Sequence, residues 1–170
     1  MHDFSSQGIT KKYDSLISAN GKIIAACKNL IIDIRYNAGG TIRNFIPLLP
    51  YICNQPIARV GYYSLYSEDL INDAITDRKI YIQQNDTIKV KIYDTAISIM
   101  QANKNKLVYN VADTLACKPV TSKIKNVALV FNYGSRSAAE LMILHLNQIN
   151  KVTTFGEQTA GAVDYLDILQ

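Results

Sequence analysis

Glycine and proline are scarce in this chain of 170 residues, where 8 glycines and 4 prolines make 12 in all. That scarcity excludes a collagen-like composition and argues against a disordered one. Charged residues are also few, at 19%, whereas apolar residues reach 48%. The composition therefore supports a sizeable hydrophobic core, and the length suits one domain or the core of a larger one.

Long hydrophobic runs and clustered charges are missing as well. The longest apolar stretch, Phe45 to Cys53, contains two prolines and is too short for a membrane span, so we expect no transmembrane segment in this chain. Basic side chains exceed acidic ones by only 18 to 14, and they are scattered along the sequence. A nucleic-acid partner is therefore not expected.

Only three cysteines occur, Cys27, Cys53 and Cys117, and they are widely spaced without a CxxC pair. With two histidines in the whole chain, this pattern does not predict a zinc site or any other metal site. We interpret the three thiols as small buried apolar side chains.

Apolar periodicity predicts an alternation of helices and strands. The predicted strands are 30–35, 58–65, 106–111, 126–131 and 152–155. The predicted helices are 10–27, 41–53, one that is capped by Ser67, 86–103 and 137–149. Proline is expected to interrupt the helix 41–53 near its end. This alternation is typical of an α/β sandwich, and the continuous apolar run of the first strand predicts a sheet covered on both faces.

Two predicted strand-to-helix junctions contain candidate site residues, and the first is Asn37-Ala38-Gly39-Gly40. Paired glycines allow a sharp turn and leave backbone N–H groups uncovered, which is how an oxyanion or a phosphate is held. The segment lacks the GxxxxGK(S/T) pattern of phosphate loops and the GxGxxG pattern of dinucleotide folds. It is either an oxyanion-binding loop or a tight turn without a ligand.

The second junction places Ser137 at the start of a helix, after the strand 126–131 and a short polar loop. A hydroxyl there lies in the positive field of the helix N-terminus, which stabilises negative charge on it or on an attacked carbonyl. The same serine, or Ser135, can equally serve as the helix cap. Residues 134–138 do not form the GxSxG elbow of the α/β-hydrolases.

Three blocks occur in a characteristic order: LIIDIRYNAGG at 30–40, VALVFNYGSRSAAE at 127–140 and FGEQTAGAVDY at 155–165. Together they resemble the tail-specific (carboxyl-terminal-processing) serine peptidases, especially the branch near the tricorn protease core and the interphotoreceptor retinoid-binding protein modules. The resemblance implies an α/β fold of the ClpP/crotonase-like type, built from stacked β-β-α units. It also implies a peptide or protein substrate and no cofactor.

Carried over residue by residue, the resemblance makes Ser137 the catalytic nucleophile. The backbone N–H groups of Ala138 and Gly40 match the two donors of the oxyanion hole. Gly39 and Gly134 fall in the loops that would bind substrate.

Four charged residues of the blocks are interpreted as supporting groups. Asp33 and Arg35 would fix the first loop, Glu140 would orient or cap its helix locally, and Glu157 would do the same in the third block. None of the four is predicted to take part in the chemistry.

A serine at its ordinary pKa needs a general base, and the blocks do not supply one. The tail-specific branch uses a lysine in the third block where this chain has Ala162, and the tricorn-like branch uses an upstream histidine with a downstream glutamate. His145 follows Ser137 by eight residues on one predicted helix, about 12 Å along its axis, and is interpreted as a core or edge histidine. His2 is the other candidate.

We therefore expect residues 1–170 to be the core of a peptidase domain, a fragment whose base comes from outside this chain. Residues 64–122, between the two loops, are predicted to be an insertion, either a lid over the cleft or a packing layer. Two other classes stay open: a catalytically inactive binding module for an apolar or peptide ligand, and a crotonase-type acyl-thioester enzyme, which the SAAE block disfavours.

Location is predicted from the resemblance alone, as periplasmic or cell-surface. The opening residues Met1–Phe4 do not have the basic and apolar pattern of a signal peptide. The sequence does not determine the oligomeric state.

Overall fold

The computed structural model describes residues 7–110 and 114–163. Its helices are α1 (Gln7–Ala26), α2 (Leu49–Ile52), α3 (Glu68–Gln83), α4 (Thr87–Ala102) and α5 (Ala138–Leu146). Its strands are β1 (Asn29–Asp33), β2 (Ile57–Ala58), β3 (Tyr62–Leu65), β4 (Leu107–Asn110), β5 (Thr114–Leu115), β6 (Asn126–Phe131) and β7 (Val152–Gly156). The α/β class predicted from the sequence is confirmed, while the ClpP/crotonase-like stacking of β-β-α units stays a prediction.

The central sheet has three parallel strands in the order β1-β6-β7. The register pairs Asn29 with Asn126 at one end and Asp33 with Val130 at the other, while β7 continues the sheet on the far side of β6. Because the strands are parallel, their carboxyl ends meet at one edge. The loops that follow the three strands therefore leave the sheet side by side, which is where α/β folds place ligand sites.

One face of this sheet carries the main hydrophobic core. Ile32 of β1 and Leu129 of β6 are 4% and 0% exposed, and they belong to one cluster with Met142 and Leu146 of α5. On the other face Ile31 is 72% exposed, so the predicted cover on both faces is wrong for the described part of the sheet. Hydrophobic periodicity alone does not show whether another element packs on the second face.

The segment 41–53, for which an interrupted helix is predicted, forms short turns along its whole length. The segment contains 3₁₀ turns at Ile42–Asn44 and Ile46–Leu48, and then the single α-turn α2. Pro47 and Pro50 each lack the backbone N–H that a continuous helix needs, so the chain tightens into short turns.

The described residues divide into two compact units, one formed by residues 7–60 with 114–163 and the other by residues 61–110. In the second unit β3 pairs antiparallel with β4, and helices α3 and α4 pack on each other. The cap predicted at Ser67 is confirmed, since its Oγ accepts a hydrogen bond from the third amide of the helix at 3.2 Å. The role predicted for 64–122, as lid or packing layer, stays a prediction.

The interpretation of three separate thiols is wrong. Cys53 and Cys117 form a disulfide with their Cα atoms 6.3 Å apart, whereas Cys27 is a free, half-buried thiol. A sequence separation of 64 gives no signal of this pairing, because only the folded chain brings the two residues together.

Within the described ranges, no group of three or more His, Cys, Asp or Glu side chains is placed to hold a metal ion. None of the helices in the described ranges has the length and apolar character needed to cross a membrane.

Candidate active site

The loops that follow β1, β6 and β7 are joined by backbone hydrogen bonds. The Arg136 N–H donates to the Asn37 carbonyl at 3.0 Å, which ties the second loop to the first. The Ala160 N–H donates to the Ser135 carbonyl at 3.1 Å, which ties the third loop to the second. The three sequence blocks therefore meet at one edge of the sheet.

Two buried asparagines turn the first two loops. Asn37 Oδ1 accepts from the Gly39 N–H at 2.9 Å. Asn132 Oδ1 accepts from the N–H of Gly134 at 3.1 Å and from the N–H of Tyr36 at 2.9 Å. Neither role was among the predictions from the sequence, although an N-x-G pattern after each strand is a recognisable signal of an Asx turn.

Ser137 occupies the N-cap of α5 and is half-buried. Its backbone has φ 53° and ψ −119°, a conformation that costs a residue other than glycine about 1–3 kcal/mol. Backbone strain of this kind concentrates at functional sites. It favours a role for Ser137 beyond capping, since an ordinary cap has an extended, unstrained backbone.

Gly39 lies directly against Ser137. A Cβ placed on Gly39 would be 2.7 Å from Ser137 Cβ and 3.2 Å from the backbone nitrogen of Ala138, and the glycine has φ +90°. Ala138 is 2% exposed, and as the first amide of α5 its N–H has no partner within the helix. Gly40, the next residue along, is exposed with φ 129°. The structure thus brings the NAGG turn and the Ser137 turn together, while the two oxyanion donors stay predictions.

Gly134 is buried beneath Tyr36, whose ring Cδ1 would be 2.8 Å from a Cβ at that position. Tyr36 faces solvent there together with Tyr133, and their ring centroids are 5.7 Å apart at an interplanar angle of 89°. The substrate contacts assigned to Gly39 and Gly134 stay predictions, and sequence analysis did not single out the two tyrosines.

The carboxylate of Glu140 joins the Ser137 turn to the third loop, although its side chain is only 3% exposed. It accepts from the N–H groups of Ser137 at 2.7 Å, Gly161 at 2.8 Å and Ala162 at 2.9 Å. Burial by itself would raise the pKa of Glu140, but hydrogen bonds from the Thr159 side chain and these amides outweigh it and lower the pKa. The predicted local cap is confirmed, and the link to the third loop is new.

Asp33 and Arg35, which were interpreted as groups that fix the first loop, form an ion pair with each other, and Nη2 of the arginine is 2.7 Å from the aspartate Oδ2. Hydrogen bonds from the Arg35 side chain and backbone lower the pKa of Asp33 to about 2. Glu157, the supporting group predicted in the third block, is exposed.

Among the residues that the structure describes, no lysine, arginine or histidine side chain forms a hydrogen bond with Ser137. Lys151 Nζ donates to the Ile124 carbonyl at 3.4 Å, at the opposite end of the sheet. His145 is 3% exposed with its ring 6.1 Å from that of Phe45, and burial lowers its pKa, so its assignment as a core histidine is confirmed. His2 lies outside the described residues.

A comparison with protein-family profiles matches residues 1–168 to Peptidase family S41. A comparison with curated proteins found no match. Among solved structures, the photosystem II D1 C-terminal processing protease is similar at 12% identity and a TM-score of 0.55, over 95% of this chain and 30% of that one.

Two further solved structures share the fold. Mature CPAF complexed with lactacystin is 15% identical with a TM-score of 0.58, over 90% of this chain and 34% of that one. A lipoprotein from Streptococcus agalactiae is 16% identical with a TM-score of 0.55, over 95% of this chain and 46% of that one. The chain thus spans less than half the length of each of these three proteins.

Proposed function

The chain belongs to peptidase family S41, and on that premise we propose that it carries the nucleophile and oxyanion hole of a serine-type peptidase. Its substrates are peptides or protein tails, cleaved through an acyl-enzyme. The observation that carries the proposal is the close approach of Gly39 to the Ser137 turn, where a Cβ added to Gly39 would be 2.7 Å from Ser137 Cβ and 3.2 Å from the Ala138 nitrogen. It supports two backbone donors beside a serine at a helix N-terminus, as acyl transfer requires.

In the proposed reaction Ser137 Oγ attacks the scissile carbonyl and passes its proton to a general base. The N–H groups of Gly40 and Ala138 hold the tetrahedral oxyanion, and its collapse expels the amine, which takes up the proton. Water then attacks the acyl-enzyme by the same route and releases the carboxylic acid. The base is proposed to come from outside this chain, because Ala162 stands where the tail-specific branch has its lysine.

A binding module without catalysis is the second candidate. It is favoured by one observation, namely that no basic side chain of the described residues forms a hydrogen bond with Ser137. In that case the same loops would hold an apolar or peptide ligand without cleaving it.

We also propose that the protein functions in an oxidising compartment, in the periplasm or at the cell surface. The Cys53–Cys117 disulfide supports this, because such bonds persist outside the reducing cytosol. A lipoprotein among the similar structures is consistent with export.

Labelling with a fluorophosphonate probe tests the nucleophile. In the complete protein the wild type should label and the Ser137→Ala variant should not. The 170-residue chain alone should label weakly, because loss of general-base assistance typically costs about 10²–10⁴-fold.

Ser135 is a matched control two residues away. Its buried Oγ donates to the Ile34 carbonyl at 2.9 Å and accepts from the Asn132 N–H at 3.2 Å. The Ser135→Ala variant should therefore keep its labelling while losing about 1–3 kcal/mol of stability, since it leaves buried groups unpaired. Equal labelling of wild type and Ser137→Ala would remove the nucleophile and favour the binding module.

A further inference from the structure

Tyr36 and Tyr133 are both exposed, and the backbone conformation of Tyr36 costs free energy that the fold does not explain. Their side chains are 60% and 63% exposed, so their rings add little to the core. Tyr36 also adopts φ 60°, a left-handed conformation that is a genuine outlier for a bulky residue. Its N–H is held in place by Asn132 Oδ1 at 2.9 Å. A residue that costs stability and buries little is best explained by function.

The pair lies on the same two loops as the candidate nucleophile. Tyr36 packs on Gly134, the Asn37 carbonyl bonds to Arg136, and Gly39 packs on Ser137. These contacts follow one another along both loops, so the loops run side by side from the tyrosines to the serine. A peptide that reaches Ser137 along these loops passes the two rings.

The charges at the end of β1 and on the loops that follow β1, β6 and β7 nearly cancel. Arg35 is paired with Asp33, and the exposed Arg136 and Glu157 have opposite signs. The hydrogen bond with the Tyr36 side chain is the largest of the effects that raise the pKa of Tyr133, so the Tyr133 hydroxyl is neutral at neutral pH. The surface therefore favours an uncharged guest. An aromatic ring gains more here than a cation, because ring–ring contacts add to the burial of apolar area.

We propose that Tyr36 and Tyr133 form a subsite that selects an aromatic side chain of the peptide substrate. This inference rests on the proposed peptidase function and names the substrate class of the same site. The T-shaped arrangement of the two rings leaves an edge and a face on which a third ring can pack.

The test measures the binding of fluorescein-labelled decapeptides to the complete protein carrying Ser137→Ala, so that cleavage does not interfere. The peptides are alanine-rich and differ at one central position, which is Phe, Leu, Lys or Ala. We expect the Phe peptide to bind about fivefold more tightly than the Ala peptide, as one ring contact provides. This preference should fall to about one when Tyr133→Ala is added, since the partner ring is then absent.

Two further variants separate binding from folding. Tyr36→Asn should remove the Phe preference without lowering the melting temperature, because asparagine tolerates positive φ. Tyr63→Ala is the matched control, since Tyr63 is 67% exposed and pairs with Tyr109 at 4.9 Å in the other unit. It should leave the Phe preference intact.

Equal binding of the Phe and Ala peptides, tightest binding of the Lys peptide, or a Phe preference that survives Tyr133→Ala would overturn the subsite. Its failure is distinct from failure of the proposed function. If Ser137→Ala abolishes probe labelling but no Phe preference exists, the nucleophile stands and the subsite falls. If the Phe preference depends on Tyr133 but labelling does not depend on Ser137, the subsite stands and the nucleophile assignment falls.

Discussion

The residue types that adopt positive φ differ between ordinary turns and the loops of the candidate site. Within the described residues, the non-glycine residues with positive φ are Tyr36, Asn85, Asn105 and Ser137. Asparagine tolerates this region well, so Asn85 and Asn105 are ordinary turn residues. Tyr36 and Ser137 have no such tolerance, and both lie in the loops of the candidate site. Strain therefore marks the same place as the sequence blocks.

Gly39→Ala tests whether close approach of the two loops matters at the residue scale. Alanine would be strained at φ +90°, and its Cβ would be 2.7 Å from both Ser137 Cβ and the Arg136 carbonyl oxygen. We expect a loss of more than about 2 kcal/mol in the free energy of unfolding, together with loss of probe labelling. Urea denaturation and the fluorophosphonate assay measure the two effects.

Gly161→Ala is the control, because Gly161 has φ +72° but no atom of the described residues lies within 4 Å of its added Cβ. The Gly161→Ala variant has a strained backbone but no steric clash, so its free energy of unfolding should fall by only about 1 kcal/mol. Equal losses in the two variants would contradict the close contact at Gly39.

At the scale of elements, Glu140 connects a helix to a loop. It lies in the first turn of α5, where a carboxylate is favoured by the helix N-terminus. The same carboxylate accepts from Gly161 and Ala162 in the loop after β7. The loop is thus held to the Ser137 turn by a buried charge, and its stability should depend on pH.

Glu140→Gln should be less stable than wild type by about 1.5–3 kcal/mol at neutral pH, because a neutral amide replaces a charged acceptor of several hydrogen bonds. The pKa of Glu140 in the folded state is below its ordinary value of 4.5. The stabilisation is therefore fully present above about pH 4.5 and is lost as pH falls through the lowered pKa. Urea denaturation from neutral pH down to about pH 3 should show the two proteins converging.

Glu68→Gln serves as the control for this pH series. Glu68 is an exposed residue whose side chain is 71% accessible and pairs with Lys104 at 3.1 Å. Such a surface pair contributes about 0–1 kcal/mol, so its loss should change little at any pH. A constant difference between wild type and Glu140→Gln over the whole range would contradict the role of the charge.

At the scale of the whole molecule, the disulfide closes the part of the chain that contains the second unit. Cys53 and Cys117 flank residues 61–112 in sequence, and β2 pairs with β5 just inside the bond. The Gln148 side chain adds two hydrogen bonds to the Ala58 backbone, at 3.1 and 2.8 Å. The segments that precede and follow the second unit in sequence are therefore held by contacts within the first unit.

Replacing Cys53 and Cys117 by alanine should lower stability by about 4 kcal/mol, the loop-closure contribution expected for a separation of 64 residues. Reduction of the wild type should lower the melting temperature to a similar extent. Cys27→Ala should have little effect, since that thiol is free and half-buried. A melting temperature that does not respond to reductant would contradict the structural role of the bond.

Much of the fold follows from local patterns. The helices α1, α3 and α4 and the strands β1, β6 and β7 were predicted within a few residues, because periodicity and caps such as Ser67 are encoded locally. The interruption of the helix 41–53 can be predicted from the sequence, since Pro47 and Pro50 cannot donate the backbone hydrogen bonds of a continuous helix. The convergence of the two loops was expected only through the resemblance to a family.

The sequence by itself determined the α/β alternation, the family and the residues at each strand end, because these depend on neighbours along the chain. Only the tertiary structure decided that Cys53 meets Cys117, that Glu140 holds the third loop and that Tyr36 faces Tyr133. Each of these contacts joins residues from separate elements. The energies of these contacts depend on distances between residues that are far apart in sequence. Those distances become short only when the chain has folded, so the local sequence does not predict them.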